Sequence, residues 1–140
     1  MSLRAVLAPL FIEVILTFAL LFWLAPLRAR DFGSGRVRPP DIALREPRWS
    51  KRVMQVGYSF ANQFELPVLF YVLTVLEWVT RQAGYLFVAL AWLFVIFRVL
   101  HAGVHVTSNE VRWRGRLFGV STLVLAIMWI VYIAEVLTGT

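Results

Sequence analysis

The 140-residue sequence contains no cysteine. That excludes a disulfide framework, a thiolate metal site and a cysteine nucleophile. Any thiol chemistry must therefore use a thiol carried in by a ligand. Charge is also scarce: 16% of residues are Asp, Glu, Lys or Arg, against about 25% in an average soluble domain. No stretch shows the strict apolar–polar alternation of a membrane barrel strand. The first apolar stretch is too long for a secretory signal, and it lacks a small-x-small cleavage site.

What is abundant is apolar surface, at 60% of residues and a mean hydropathy of +0.74. A helix needs about 20 mostly apolar residues to cross roughly 30 Å of hydrocarbon. Four stretches meet that requirement: Ala5–Leu27, Gly57–Thr80, Gly84–Val106 and Leu117–Leu137. The expected fold is all-α, a four-transmembrane-helix bundle that occupies residues 1–140 as one domain within lipid. Arg81-Gln82-Ala83 is short enough to force an antiparallel hairpin. The connection Thr107–Arg116 is longer, and Arg28–Arg52, with Gly33, Gly35, Pro39, Pro40 and Pro47, reads as an irregular surface loop.

The net charge of +6 and isoelectric point near 10.8 do not point to nucleic acid, because the basic residues fall where membrane topology places them. Arg28, Arg30, Arg36, Arg38, Arg45, Arg48, Lys51 and Arg52 occupy the first loop, and Arg112, Arg114 and Arg116 the third. Only Arg4 and Arg81 lie on the other side. The positive-inside rule predicts both basic loops in the cytoplasm and both termini outside. The first loop, where Asp31, Asp41 and Glu46 are interspersed, is expected to lie against anionic headgroups.

Polar and ionisable groups within spans are costly unless paired, so each is a functional candidate. They are Glu13, Asn62, Gln63, Glu65, Glu77, Arg98, His101, His105 and Glu135. Glu77 and Glu135 lie near the outer interface, where snorkelling is cheap. Tyr58, Asn62 and Glu65 are spaced i, i+4, i+7, and Arg98, His101 and His105 i, i+3, i+7, each set on one helical face. Glu65 and Arg98 each lie about eight residues, ~12 Å, from the basic end of antiparallel spans, which predicts an ion pair. A pair of histidines four apart can chelate a metal. No third ligand accompanies them, and polar residues lining a cavity are the preferred reading.

The segment Ala61-Asn62-Gln63-Phe64-Glu65-Leu66-Pro67 resembles the A-N-x-x-E-x-P stretch of the MAPEG superfamily, the membrane-associated proteins in eicosanoid and glutathione metabolism. Arg98-Val99-Leu100-His101-Ala102 resembles its R-x-x-H-A. Chain length, span number and the long first loop match as well, so the resemblance covers nearly the whole chain. The likeness is to a bacterial-type member, which implies the inner membrane.

The resemblance implies a homotrimer with glutathione bound between subunits near the cytoplasmic face. Asn62 and Glu65 would hold the peptide, Arg98 would brace Glu65 or touch the ligand, and His101, His105 and Tyr58 would line the site. Arg114, with Arg112 and Arg116 as alternatives, would activate the thiol. The implied activity is transfer of glutathione to a lipophilic electrophile, or reduction of a hydroperoxide, reached from membrane lipid. Two positions depart from the catalytic pattern. Tyr58 stands where an arginine holds a glutathione carboxylate, and a phenol cannot replace that bidentate cation. His105 stands where a tyrosine is usual. The alternative is a non-catalytic member that binds a lipid or presents it to a partner.

Overall fold

A computed structural model describes residues 1–45 and 47–139; Glu46, placed by the sequence in the charged loop, lies outside the described residues. The described residues form five α-helices: α1 Leu3–Gly33, α2 Lys51–Asn62, α3 Leu66–Val79, α4 Tyr85–Val106 and α5 Val111–Thr138. A short 3-10 turn, Pro39–Ile42, lies in the first loop. Four helical segments are long and apolar enough to cross a membrane, with α2 and α3 together forming one of them over Lys51–Val79.

Local chemistry sets the helix ends. Ser2 caps α1 by accepting from the Ala5 amide at 3.2 Å, satisfying one of the orphan donors of a first turn. Gly139 ends α5 with φ of 72°, a left-handed conformation that costs glycine no Cβ clash. Between α3 and α4 the chain turns through Arg81 at φ 62°.

Helical structure runs beyond the apolar spans at the basic end. α1 continues to Gly33, and α5 starts at Val111. The expected connection Thr107–Arg116 is therefore shorter, since Arg112, Arg114 and Arg116 already belong to the first turns of α5. Hydropathy marks where lipid begins, whereas intrahelical hydrogen bonding continues until a breaker or cap stops it.

The second span is interrupted. Pro67 sits in the first turn of α3, where its ring excludes the carbonyl four residues earlier and its missing N–H removes a bond. The backbone passes the break on tight turns: Gln63 N–H donates to the Phe60 carbonyl at 3.0 Å, Phe64 to Ala61 at 3.0 Å, and Glu65 to Asn62 at 3.2 Å. These i to i−3 bonds change the angular phase between α2 and α3.

Packing divides into two apolar clusters. One gathers Val6, Phe70, Leu73, Phe94, Leu125, Met128 and their neighbours. The other, toward the basic end, gathers Leu20, Leu24, Val53, Val56 and Val106. Between them in chain position on α1, at the α2–α3 break and on α4 lie buried polar groups: Glu13, Gln63, Arg98 and His101. The bundle thus has a polar belt across its interior.

The first loop folds back on α1. The Asp31 carboxylate accepts from the Ser50 amide at 2.8 Å, Phe32 meets Trp49 edge-on at 5.1 Å, and Arg28 lies over Trp49. Asp31 is buried within α1, not displayed among the loop's cations as expected. Glu77 also departs from expectation: only 2% exposed, it lines a cavity of about 40 Å³ with Gln82, Gly84, Leu86 and Glu135. Its helical phase turns it into the bundle, so it cannot snorkel to the interface.

Candidate functional site

The break after Asn62 positions the site. Asn62 is the last residue of α2, so its carbonyl has lost its helical donor and its side chain projects from a helix end. Arg98 of α4 meets both groups: Nη2 donates to the Asn62 carbonyl at 3.5 Å and to Asn62 Oδ1. Arg98 is fully buried, at 0% exposure.

That arrangement replaces the expected Glu65–Arg98 ion pair. The tight turns at 63–65 rotate Glu65 away from the phase it would have on a continuous helix, and its side chain is exposed. Tyr58, Asn62 and Glu65 consequently do not form one uninterrupted helical stripe. Tyr58 is 57% exposed, and Asn62 is half-buried.

The α4 stripe is continuous. Arg98, His101 and His105 are all buried on one face. The two imidazoles meet edge-on with centroids 5.8 Å apart, and His101 also meets Phe118 of α5 at 5.8 Å. Arg114, in the first turn of α5, donates from Nη1 to Asn109 Oδ1 at 2.6 Å. Asn109 adopts φ of 51°, a left-handed conformation that asparagine tolerates. Thus held, Arg114 is half-buried at the start of α5, the helix that packs along α4. Arg112 and Arg116 are exposed, and Arg116 lies over Trp113 with its guanidinium 5.3 Å from the ring centroid. Of the three arginines, Arg114 is the one that is partly buried.

Two further elements were left without a role by the sequence. Gln55 on α2 donates to the His105 carbonyl at 2.8 Å and the Thr107 carbonyl at 3.0 Å, and Arg52 donates to the Val106 carbonyl. These donors satisfy the orphan carbonyls at the end of α4. The second element is Glu13, at 0% exposure on α1, a helix without an assigned site residue. Glu13 sits on the helix that packs against both α3 and α4. A depth count could have found it. Glu13 is ten residues into α1 and Arg98 thirteen into α4, about 15 and 20 Å from the same membrane face.

The four spans, the break at Asn62 and the arginine–histidine stripe are now placed, and a family model described as the MAPEG family matches residues 6–134. The chain belongs to the MAPEG family. This MAPEG protein is an integral, multi-pass membrane protein. No curated protein and no solved structure matches it.

Proposed function

We propose that this MAPEG protein binds glutathione at its basic end and uses the thiol against a lipophilic electrophile or hydroperoxide reached from the bilayer. The observation that supports this reading best is Arg114, fixed by Asn109 at the start of α5, the helix packed along α4, which carries the arginine–histidine stripe. A guanidinium that stays charged lowers the cost of a neighbouring thiolate. The thiol proton leaves to water. The sulfur then bonds to the electrophilic carbon as the leaving group departs with its electron pair; with a hydroperoxide, sulfur takes the terminal oxygen and the alkoxide leaves.

The remaining residues divide by exposure. Glu65 and Tyr58 are exposed and Asn62 is half-buried, so these three can touch a peptide ligand: Glu65 its ammonium, and Asn62 and Tyr58 its carbonyl or carboxylate oxygens. Arg98, His101 and His105 are buried and support that surface from behind. Contact groups on the outside of one chain favour a site completed by a neighbouring copy, in a homotrimer. The eleven basic residues at one end favour a cytoplasmic site with both termini outside.

The test is thermal unfolding of the detergent-purified protein with and without glutathione, together with conjugation of an aryl halide. Glutathione at 100 times its dissociation constant stabilises by about 2.7 kcal/mol. Arg114→Ala is expected to abolish conjugation while keeping most of the binding. Neither stabilisation nor conjugation in the wild-type protein would sink the reading. Tyr58 in place of a carboxylate-binding arginine favours a second reading, a non-catalytic lipid binder; a stoichiometric co-purifying lipid with no thiol conjugation would establish it.

A further inference from the structure

The guanidinium of Arg98 is fully buried, and its one observed hydrogen-bond partner among the described residues, Asn62, is neutral. Its Nε and Nη1 have no hydrogen-bond partner among the described residues, and neither carboxylate oxygen of Glu13 has one. A buried charge in hydrocarbon requires an opposite charge. Glu65 is exposed, whereas Glu13 is buried at 0% on α1, a helix that packs against α4.

We infer that Glu13 is the counter-ion of Arg98 and, through Arg98, a positioning residue for Asn62. Arginine can only donate hydrogen bonds, so the Asn62 atom facing it must be the acceptor, Oδ1. That contact fixes the amide with its NH2 group turned away from Arg98, available to donate to a ligand carbonyl or carboxylate. Glu13 on α1 holds Arg98 on α4, and Arg98 holds the end of α2. The chain of three residues crosses the polar belt and ends at the surface with Tyr58 and Glu65. Its consequence for ligand binding rests on the proposed glutathione site; the charge pairing does not.

The experiment compares Glu13→Gln, Glu13→Asp and the double variant Glu13→Gln/Asn62→Asp, reading thermal unfolding and glutathione affinity by calorimetry. Glu13→Gln is expected to lower the unfolding temperature and weaken glutathione binding, and Glu13→Asp to restore much of both. In the double variant the carboxylate introduced in place of the Asn62 amide returns a negative charge to Arg98, but the NH2 donor is gone. Stability should therefore recover while glutathione binding stays weak, a split that a merely structural role does not produce. Glu13→Gln behaving as wild type, or the double variant recovering both properties or neither, would overturn the inference. If Glu13→Gln does not fold, Glu13→Gln/Arg98→Met must fold again, because both charges are then gone; failure there also overturns it. Wild-type protein that ignores glutathione would refute the proposed function and leave the stability arms to decide the pairing.

Discussion

Arg98 on α4 grips Asn62 at the residue where α2 stops, so a broken helix end is held by a cation from the neighbouring span. Removing the cation while leaving Glu13 and Asn62 in place strands buried polar groups. Arg98→Ala is expected to cost about 3–5 kcal/mol, the usual loss when one partner of a buried charge pair is removed. Arg98→Met paired with Glu13→Gln should cost far less, because both charges leave together. Unfolding midpoints of the singles and the double in one detergent check the non-additivity.

Gln55 ties α2 to α4 through two carbonyls, those of His105 and Thr107. Gln55→Leu is expected to destabilise by about 1–3 kcal/mol, since it leaves acceptors at a helix end without their donor. The loss should show as frayed amides. Hydrogen exchange at residues 103–107 is therefore predicted to speed up more than exchange in the middle of α4. Uniform acceleration along α4 would contradict a local tie.

Tyr58 is more than half exposed, so an arginine fits there without displacing core residues. Tyr58→Arg restores the cation that the catalytic pattern carries and adds a charge-assisted hydrogen bond to a carboxylate. Such bonds contribute about 1.5–3 kcal/mol, or roughly tenfold or more in affinity. Calorimetric titration with glutathione is expected to show the gain. Unchanged affinity would mean that the ligand carboxylate lies elsewhere.

The absence of native cysteine lets single introduced thiols report topology cleanly. Ser108, in the short turn between α4 and α5, and Thr80, at the end of α3, lie at opposite ends of the bundle and are both exposed. In intact cells a membrane-impermeant thiol reagent should label Thr80→Cys and spare Ser108→Cys. The reverse pattern would invert the proposed orientation.

Much of this molecule was legible in one dimension. Four long apolar stretches and the clustering of arginine and lysine at their ends determined an all-helical membrane bundle and its two unlike faces, because a bilayer demands unbroken internal hydrogen bonding and tolerates few charges. The i, i+3, i+7 spacing of Arg98, His101 and His105 was likewise sufficient, since α4 is continuous and periodicity holds along an unbroken helix. Tertiary structure decided the partners. Pro67 shows in the sequence, but the tight turns that rotate Glu65 outward and leave Asn62 for Arg98 follow from how the chain closes the break. The pairing inferred for Glu13 and Arg98 has a different origin: α1 packs against both α3 and α4, a choice made by side-chain fit among helices that are all equally apolar to lipid. Spacing within one helix cannot contain that information. The burial of Glu77 has the same origin, for only the assembled bundle determines which side of a helix faces inward.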